Sequence, residues 1–579
     1  MSYFLPDDEA VLAACQGLAL AHPGIGLCVE PLYLLASRPA PQRRIALVAG
    51  GGAGHEPLHT GLLGRGGLDA VVPGPVFTSP GNAQIVAASH AAASLGQRDG
   101  VVHIVKNYTG DRINFALAAD QIRAAGIPVA EVVVDDDLAT EHTAVGRRGT
   151  GATVVVEKLL GALADQGADL DGLAELGTRV AGASRSLAVC ARAHTSPGDR
   201  SPSFRLDPRH FDFGIGIHGE RAARTIAEVG TDELVARMLD ELLEHVRPGP
   251  HGVVVVVSGL GGTSELELRA VGALAHRHLV NRGARVHALA VGTYISALDM
   301  AGFTLTLTAL APGWAGLWDL PTDTPLRLPG AAAFRTTALP PAHGTSVTSR
   351  WDAPAPPRAE RGARAFLDEL HRISRLSHAE LTELDRATGD GDFGDNFCGG
   401  VTAAVGLADR SGAAGTEALA DTFRNHVGGT SGPLFGVLFT ALAPVADRTP
   451  PDVPALATAL RRSLSRITTI GGAAPGDCTL VDALAPAADA LAATPLAGPE
   501  RALTAAARAA IAGAHATAAL TARRGRASYA DGYSEGRPDP GAVAVALVLT
   551  ALARVHEPLP AGDLPSLPRI ARGGAEDVS

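Results

Sequence analysis

The sequence predicts a multidomain protein in which an α/β half, residues 1–330, precedes an all-α domain, residues 358–568. In the first half, apolar runs such as residues 45–49, 101–105 and 253–257 alternate with Ala- and Leu-rich segments of helical length. Runs this apolar are typical of strands in a sheet that is covered on both faces. Beyond residue 358 such runs are scarce, and the apolar residues recur at helical spacing instead.

The α/β half is long enough for one large unit or two smaller ones. Gly and Asp residues cluster just after its apolar runs, where ligands bind in such sheets. Residues 331–357 are rich in proline and show no sustained periodicity. Because proline stiffens a chain and removes hydrogen-bond donors, we expect an interdomain linker there, the alternative being a long ordered loop.

The all-α domain is predicted from one amphipathic stripe and several Ala- and Leu-rich segments. Phe366, Leu370, Ile373 and Leu376 lie at helical spacing and predict the first helix of this domain. Further helices are predicted at residues 415–426, 453–467, 499–522 and 541–555. The last of these is too short to cross a bilayer and is interpreted as a buried helix, and residues 569–579 are expected to form a frayed tail.

Composition excludes several classes of protein. Among 579 residues, 46% are hydrophobic and 19% charged, which rules out disorder across the chain. A net charge of −11 and an aromatic content of 4% lack the basic, aromatic-rich surface that binds nucleic acid. The five cysteines form no CxxC pair, which argues against a disulfide framework or a zinc site. Without an apolar membrane span or a signal-peptide pattern, we expect a cytoplasmic protein that binds neither membrane nor nucleic acid.

An acidic segment at the start of the second half predicts a metal site. Asp385, Asp390, Asp392 and Asp395 lie within eleven residues, and like charges this close repel each other unless a cation compensates. A calcium EF-hand loop is excluded, because the positions of two required ligands hold Gly and Val. Magnesium bound by carboxylates and substrate phosphates fits better, the alternative being a solvated acidic turn.

Glycine-rich segments recur in the same half, at residues 428–433, 471–477, 525–528 and 539–542. Backbone N–H groups at junctions between loops and helices bind phosphate oxygens well, because glycine leaves the approach open. Each segment alone is more often an ordinary turn. Together they indicate that a helical bundle binds a nucleotide at one end.

The first half contains three segments where chemistry is expected. A strand runs into the glycine loop 50–57, which ends in His55; the next carries Lys106 and Asp111; and an alternating strand, residues 214–220, ends in His218. A single histidine among apolar residues is usually structural. Two histidines and an aspartate that each follow a strand and a glycine predict a small-ligand site. Lys106 is also one of two lysines in a chain that otherwise uses arginine.

These segments together resemble the dihydroxyacetone kinase family in its single-chain, ATP-dependent form. The motifs that carry the resemblance occur in family order over nearly the whole chain: GGGAGHEP, KNYTGDRINF, GIGIHGE, ALDMAGF, GDGDFG, GGTSGPLFG, GGAAPGDCTLVDAL, GRASY and DPGA. The resemblance implies an α/β K-type domain that binds a small ketose, and an L-type domain, an α-helical barrel, that binds ATP and Mg²⁺. It also implies a homodimer.

The resemblance assigns roles in the K-type domain. His218 would attack the substrate carbonyl and form a covalent hemiaminal, as a neutral imidazole can near neutral pH. Asp111 would accept the proton of the terminal hydroxyl that is phosphorylated, and His55 would share acid–base work or orient the sugar. The other predicted substrate contacts are Gly52, Ala53, Gly54 and Lys106.

In the L-type domain the resemblance implies that Asp385, Asp390 and Asp392 hold two Mg²⁺ ions that bridge the triphosphate. Phosphoryl transfer depends on alignment and charge neutralisation more than on protein nucleophiles. The residues predicted to line the nucleotide are Phe393, Gly394, Asp395, Asn396, Ser431, Gly432, Gly471, Thr479, Leu480, Arg526, Asp539, Pro540 and Gly541.

Five positions depart from the commoner pattern of that family. Ala53 stands where Ser is frequent, Pro75 where Asp is, Glu157 where His is, Phe393 where Thr or His is, and Cys478 where Arg or Lys is. The predicted covalent and metal residues are unchanged. The departures therefore concern substrate preference and nucleotide affinity.

Dihydroxyacetone, with glyceraldehyde as a further substrate, is the first prediction. A kinase of the four-carbon ketose erythrulose would use the same chemistry in a different pocket. Lyase activity on FAD that releases cyclic FMN would need the L-type residues but not His218. A regulator or relay protein without turnover is disfavoured, because both sets of site residues are present in one chain.

Overall fold

A computed structural model of the chain places the apolar runs of the first half in two six-stranded sheets. The chain divides into two units, residues 1–336 and 337–579. The structure describes residues 4–6, 9–38, 40–96, 98–143, 146–196, 200–220, 222–331, 362–386, 391–446, 448, 451–493, 501–524, 536–557, 564 and 566. The predicted linker, apart from Ala331, and the predicted tail lie outside these residues.

The first sheet contains the strands that carry the glycine loop and Lys106. Its strands are β1 (Ile25–Cys28), β2 (Tyr33–Ala36), β3 (Ile45–Ala53), β4 (Ala70–Val76), β5 (Gly100–Lys106) and β6 (Val129–Val134). They lie in the order β1-β2-β4-β3-β5-β6. The four strands β3 to β6 pair in parallel, so the ends of β3 and β5 meet at one edge of the sheet.

The second sheet is mainly antiparallel. Its strands are β7 (Ser184–Arg192), β8 (His210–Phe213), β9 (Arg224–Ala227), β10 (Val253–Gly259), β11 (Val286–Gly292) and β12 (Ala301–Ala309). They lie in the order β11-β10-β12-β7-β8-β9, and only the pair β10 and β11 is parallel. The α/β half thus contains two sheets within one compact unit, residues 1–336.

Helices cover both sheets. They are α1 (Ala10–Ala21), α2 (Asn82–Ser94), α3 (Thr109–Ala124), α4 (Ala152–Asp165), α5 (Leu170–Gly182), α6 (Thr231–His245), α7 (Glu265–Asn281) and α8 (Trp314–Asp319). Helix α4 packs on strands of both sheets and is buried along almost its whole length. Its residues belong to one apolar core together with the facing strands of the two sheets, while α2 with α3, and α6 with α7, bury their apolar faces on the outer sides.

One strand prediction is wrong. The alternating segment 214–220 does not continue the sheet, because β8 ends at Phe213 and Gly214 adopts a positive φ of 78°. A Cβ at Gly214 would lie 2.6 Å from the Cβ of Ala139, so the chain turns here only with glycine. His218 therefore lies on a loop rather than at the end of a strand.

The second unit is helical in the part that the structure describes. Its helices are α9 (Gly362–Arg386), α10 (Phe393–Ser411), α11 (Gly415–Asn425), α12 (Ser431–Leu442), α13 (Val453–Gly471), α14 (Val481–Ala493), α15 (Ala502–Ala516) and α16 (Pro540–His556). Each helix packs on the next along the chain, and α16 packs back on α9. These helices therefore close into a ring around a single apolar core.

The predicted fold class, an α/β half followed by an all-α barrel-like domain, is confirmed. The interpretation of residues 541–555 as a buried helix is confirmed too, because α16 is buried from Pro540 to Ala553. The stripe on α9 fails at one residue: Phe366 and Leu370 are buried, but Leu376 is 76% exposed, and the stripe continues through Leu381. Among the described helices none is both long and apolar enough to cross a membrane.

Candidate active site

The glycine loop at the end of β3 is packed too closely for side chains. A Cβ at Gly52 would lie 2.7 Å from the carbonyl carbon of Phe77, and a Cβ at Gly51 would collide with Nζ of Lys106. Gly54 has a φ of 96°, a conformation that residues with a side chain rarely adopt. The loop thus brings bare backbone directly against Phe77 and Lys106, with no side chain of its own between them.

His55 follows this loop and is fully buried. Its Nδ1 lies 2.9 Å from the carbonyl oxygen of Ser296, an acceptor, so Nδ1 carries the proton and Nε2 carries the lone pair. Among the described residues Nε2 has no hydrogen-bond partner. Burial, together with the charges of His218 and Lys106, lowers the pKa of His55 well below its usual range, so the ring is neutral at pH 7.

His218 is held by the carboxylate two residues further on. Glu220 accepts hydrogen bonds from the His218 backbone N–H at 2.9 Å and from its Nδ1 at 2.8 Å. Burial alone would raise the pKa of Glu220, but the hydrogen bond from His218 and the charges of His218 and Arg148 hold it at about 2. An ionised carboxylate only accepts, so the proton of the neutral imidazole lies on Nδ1 and the lone pair on Nε2.

Aromatic rings fix the two histidines relative to each other. The ring centroids of His55 and His218 lie 4.7 Å apart at 74°. Phe77 stacks on His55 at 5.1 Å and meets His218 edge-on at 5.3 Å, while Tyr108 meets His218 at 4.7 Å. Packing of this kind restricts ring rotation, so both imidazoles have defined directions.

Lys106 and Asp111 lie at the neighbouring strand end. Lys106 closes β5 and is buried, with Nζ 2.7 Å from Nε2 of His59. Asp111 lies in the first turn of α3 and is buried, and its Oδ1 has no partner among the residues that the structure describes. The charge of Asp111 opposes the fall in the Lys106 pKa that burial causes. A buried carboxylate oxygen without a donor is a ready acceptor for a substrate hydroxyl.

The structure thus brings the predicted residues of the α/β half into one neighbourhood. His55 contacts His218, Gly52 and Gly54 contact the backbone or ring of Phe77, and the carbonyl of Ala53 accepts from the Phe77 N–H at 2.9 Å. Lys106 lies against Gly51 and is coupled electrostatically to Asp111.

Sequence reasoning missed four residues of this neighbourhood: Phe77, Tyr108, His59 and Glu220. Glu220 could have been found, since a carboxylate two residues after a histidine can reach its ring. His59 lies four residues after His55, and this spacing was a weaker indication that its side chain belongs to the site. Phe77 and Tyr108 carry no chemical group that distinguishes them from core aromatics, and their roles depend on the tertiary structure.

The helical unit contains a cavity of about 220 Å³ between the ends of its helices. Eleven of the predicted nucleotide and metal residues line it: Asp385, Asp392, Phe393, Asn396, Ser431, Gly471, Thr479, Leu480, Asp539, Pro540 and Gly541. Thr430, Cys478 and Arg524 line it as well and were not among the predicted contacts. Three of the four glycine-rich segments, residues 428–433, 471–477 and 539–542, thus meet at one place, and residues 525–528 lie outside the described residues.

Three predicted nucleotide residues do not line this cavity. A Cβ at Gly394 would lie 2.8 Å from the His378 carbonyl, and one at Gly432 would collide with the Val427 carbonyl, so both glycines serve helix packing. Asp395 points to His378, whose Nε2 lies 2.7 Å from its Oδ1. Asp390 and Arg526 lie outside the described residues.

Backbone donors order the loop before α14. Asp482 accepts from the N–H groups of Gly476 and Thr479, at 2.5 and 2.8 Å, and Asp477 accepts from the N–H of Ala474 at 2.9 Å. Cys478 adopts a positive φ of 59°, and its thiol, which is buried, donates to the Thr517 carbonyl at 3.5 Å. At two further family departures, Phe393 stacks on Phe397 in the core and Glu157 contacts His59.

Three carboxylates line the cavity: Asp385, Asp392 and Asp539. Asp385 accepts from the Phe393 N–H at 3.1 Å, which ties the end of α9 to the start of α10. Asp539 caps α16, and burial, followed by the charges of Asp482 and Asp385, raises its pKa to about 7. Oxygen ligands of this kind are those that Mg²⁺ prefers, so the donor set fits that ion. Within the described ranges, no three His, Cys, Asp or Glu side chains already form a complete metal cluster.

Both halves of the chain match known family models. Residues 16–326 match the Dak1 domain, and residues 387–554 match the DAK2 domain. The chain is therefore of the class that joins one α/β Dak1 domain to one helical DAK2 domain. It belongs to the dihydroxyacetone kinase family in its single-chain form.

Relatives of this class differ in their named activities. The chain is 37% identical to the human triokinase/FMN cyclase, over 94% of this chain and 98% of the relative. It is 36% identical to the L-erythrulose 1-kinase of Mycolicibacterium smegmatis, over 95% and 99%. The dihydroxyacetone kinase of C. freundii, solved in complex with AMP-PNP and Mg²⁺, is 29% identical over 96% of this chain and 99% of that one, with a TM-score of 0.59.

Proposed function

We propose that this chain is an ATP-dependent kinase that phosphorylates the terminal hydroxyl of a short ketose, dihydroxyacetone first and glyceraldehyde as a further substrate. The observation that carries the proposal is the pair of His218 and Glu220. Because Glu220 holds the proton on Nδ1, the Nε2 lone pair of His218 is available to a carbonyl carbon.

The first step is covalent capture of the ketose. Nε2 of His218 attacks C2 of the substrate, a C–N bond forms and the π bond of the carbonyl breaks. The carbonyl oxygen gains the one proton that the imidazole loses from Nδ1, relayed through Glu220 and solvent, so the hemiaminal is neutral and no net proton is taken up or released. Glycerol has no carbonyl and cannot form this bond, which explains how such a site would select a ketose over the corresponding polyol.

The second step is phosphoryl transfer. The terminal hydroxyl oxygen attacks the γ-phosphorus of ATP, the bond from that phosphorus to ADP breaks, and the hydroxyl proton passes to Asp111. Asp111 suits this role because its Oδ1 is buried and no residue that the structure describes donates a hydrogen bond to it. His55 is neutral, and its Nε2, which has no partner within the described part of the chain, would accept a hydrogen bond from the sugar, while the Lys106 ammonium would donate one.

ATP would occupy the cavity of the helical unit. The glycine-rich segments around Ser431, Gly471 and Gly541 would contact its phosphates and base, with Arg524 on the rim of the cavity. Asp385 and Asp392, together with Asp390, would hold Mg²⁺. When bound, this ion would neutralise charge on the triphosphate.

Two alternatives follow from the named relatives. The L-erythrulose 1-kinase is as similar to this chain as the triokinase/FMN cyclase is, so a four-carbon ketose is the main competing substrate. The name of the triokinase/FMN cyclase also makes cyclic FMN formation a candidate side activity. That activity would need the helical cavity but not His218.

The proposal extends to assembly and location. A homodimer is proposed from the family resemblance alone. The cytoplasm is proposed as the location because ATP is available there, and the five cysteines are free thiols, as expected in a reducing compartment.

The test is ADP formation with Mg²⁺ and ATP across glycerol, dihydroxyacetone, glyceraldehyde and both erythruloses. The His218→Ala protein runs alongside as the covalent-site control. Saturable turnover on dihydroxyacetone that is lost in the variant supports the proposal, and preference for an erythrulose changes the substrate but not the mechanism. No turnover on any ketose refutes it, and FAD cleavage by both proteins then tests the lyase alternative.

A further inference from the structure

Three side chains from separate elements form a buried chain of contacts behind the glycine loop. Glu157 lies in the middle of α4, between the two sheets, and is fully buried. Its Oε1 contacts Nδ1 of His59, and Nε2 of His59 lies 2.7 Å from Nζ of Lys106. Among the described residues Oε2 of Glu157 has no hydrogen-bond partner.

The chemistry of an ammonium fixes the direction of each hydrogen bond in this chain. The Lys106 ammonium has only donors, so Nε2 of His59 must accept from it. The imidazole proton then lies on Nδ1 and is donated to Glu157, whose pKa burial raises well above its usual range, a rise that the charge of Lys106 opposes. Burial, with the charges of Lys106 and His55, lowers the pKa of His59 well below its usual range, so this ring transmits the contact as a neutral group.

The far end of the chain meets the glycine loop. Nζ of Lys106 occupies the space that a Cβ on Gly51 would need, so the ammonium lies directly against the backbone of that loop. The other titratable groups that face Lys106 are Asp111 from α3 and His55 and Glu56 from the segment after β3.

Burial is the largest influence on Lys106 and lowers its pKa, while Asp111, Glu157 and Glu56 oppose the fall. Of these three carboxylates, Glu157 is linked to the ammonium by hydrogen bonds through the imidazole ring of His59. Lys158, the adjacent residue on α4, has a different environment: its Nζ donates to the Leu320 carbonyl at 2.5 Å, and burial lowers its pKa to about 8.

We propose that Glu157 is a positioning residue of the ketose site, which through His59 keeps Lys106 protonated and directed at the glycine loop. The inference rests on the proposed function, since it assumes that the ketose binds at that loop. Glu157 itself touches no substrate. Its substitution is therefore expected to affect ketose binding and the charge of Lys106, and to leave the nucleotide site unchanged.

The chain contains two lysines, which makes the charge of Lys106 directly measurable. Protein labelled with ¹³Cε,¹⁵Nζ-lysine gives one signal for Lys106 and one for Lys158, assigned with Lys158→Arg. In the wild-type protein Lys106 must be protonated at pH 7. In Glu157→Gln, which keeps the shape of the side chain and the contact with His59, the titration midpoint of Lys106 should fall by about one pH unit or more, while that of Lys158 stays.

A neutral Lys106 at pH 7 in the wild-type protein overturns the proposal, and so does an unchanged or raised midpoint in Glu157→Gln. His59→Leu, of similar size but without an acceptor for the ammonium, runs in parallel and must also lower the midpoint. If Glu157→Gln does not fold, both of its lysines titrate as in an unfolded chain, and the wild-type result with His59→Leu decides.

Kinetics provide the functional readout. We expect the KM of Glu157→Gln for the ketose to rise tenfold or more and the alkaline loss of kcat/KM to begin at lower pH. The KM for ATP should stay within twofold of the wild-type value. In Glu175→Gln, a control at an exposed position, the KM values for the ketose and for ATP should both stay within twofold. In a Lys106→Met background Glu157→Gln should add no further loss, because it acts through that lysine. A wild-type protein without ketose turnover refutes the proposed function, while the lysine titration still decides the role of Glu157.

Discussion

Both carboxylate oxygens of Glu220 are occupied by His218: Oε1 accepts from the imidazole Nδ1 at 2.8 Å and Oε2 accepts from the backbone N–H at 2.9 Å. The same residue therefore supplies both donors, and the short loop between them fixes the ring relative to its own backbone. With the pKa of Glu220 at about 2, this arrangement persists over the whole pH range in which the protein would work. In the neutral imidazole it places the lone pair on Nε2.

Glu220→Gln tests this arrangement. In the amide an NH₂ donor replaces one of the two acceptor oxygens, so one of the two His218 donors would face an N–H group, and either the loop or the tautomer of the ring must change. We expect kcat/KM for the ketose to fall by at least ~10²-fold, while nucleotide binding to the helical unit is unchanged. Steady-state kinetics and titration with a fluorescent ATP analogue measure the two effects. Glu228→Gln, at a nearby exposed position, is the matched control and should stay within twofold.

The fold class could be predicted from sequence because the period of the apolar residues differs between the two halves. Residues 45–49 and 253–257 are apolar at every position, and both became strands buried on both faces. The segment 214–220 was mistaken for a strand because its alternation mimics one. Only the contact of Gly214 with Ala139 and its positive φ make it a turn, and neither is visible in the local pattern.

The candidate site could be predicted only in part. Ionisable residues such as Asp385 and His55 could be identified because their residue types are rare in a core. Asp395 and Gly394 could not be distinguished from their neighbours, because a shift of one position along a helix decides whether a side chain faces the cavity or the adjacent helix. His59 and Glu157 are separated by 98 residues, and only the packing of α4 between the sheets brings them together.

Two neighbouring glycines should respond differently to alanine. A Cβ at Gly50 would lie 2.5 Å from the Val72 carbonyl oxygen, a backbone atom that cannot move aside, so Gly50→Ala should lower stability by about 1–3 kcal/mol. A Cβ at Gly51 would meet the end of the Lys106 side chain, which can swing away. Gly51→Ala should therefore raise the ketose KM about tenfold with a smaller loss of stability than Gly50→Ala.

Thermal melting and ketose kinetics on both proteins measure this difference. Gly182→Ala provides the control, since no atom lies within 4 Å of the added Cβ. Equal stability losses for Gly50→Ala and Gly51→Ala, without a change in KM, would contradict the position of Lys106 against the loop.

Acid should destabilise the α/β unit partly through His103. This residue is fully buried on β5, Ser89 Oγ lies 3.0 Å from its Nε2, and burial followed by the charge of Arg123 lowers its pKa to about 3. The unfolded chain binds a proton on this ring below pH 6.5 and the folded chain does not, so stability falls as the pH drops from 6.5 towards 3. Between pH 7 and pH 5 the loss from this residue alone amounts to about 2 kcal/mol.

His103→Gln removes that titration and keeps a group that can bond to Ser89. A change in stability that is the same at every pH cancels when the quantity compared is the difference in the free energy of urea unfolding between pH 7 and pH 5. Fluorescence of Trp314 and Trp318, both buried in the α/β unit, follows the transition. The difference should be smaller than in the wild-type protein by about 2 kcal/mol, whereas His251→Gln, at an exposed position, should leave it unchanged.

The acidic segment of the helical unit offers the sharpest comparison, because three of its aspartates have different surroundings. Asp385 and Asp392 line the cavity, whereas Asp395, three residues after Asp392, is bonded to His378 outside it. Asp385→Asn and Asp392→Asn should each lower kcat by at least ~10²-fold and raise the Mg²⁺ concentration needed for half-maximal turnover. Asp395→Asn should change neither value by more than twofold, and excess EDTA should abolish turnover in all proteins. If kcat falls as far in Asp395→Asn as in Asp392→Asn, the Asp395 carboxylate turns towards the nucleotide during turnover, as the sequence motif predicts. The working site would then be wider than the cavity seen here.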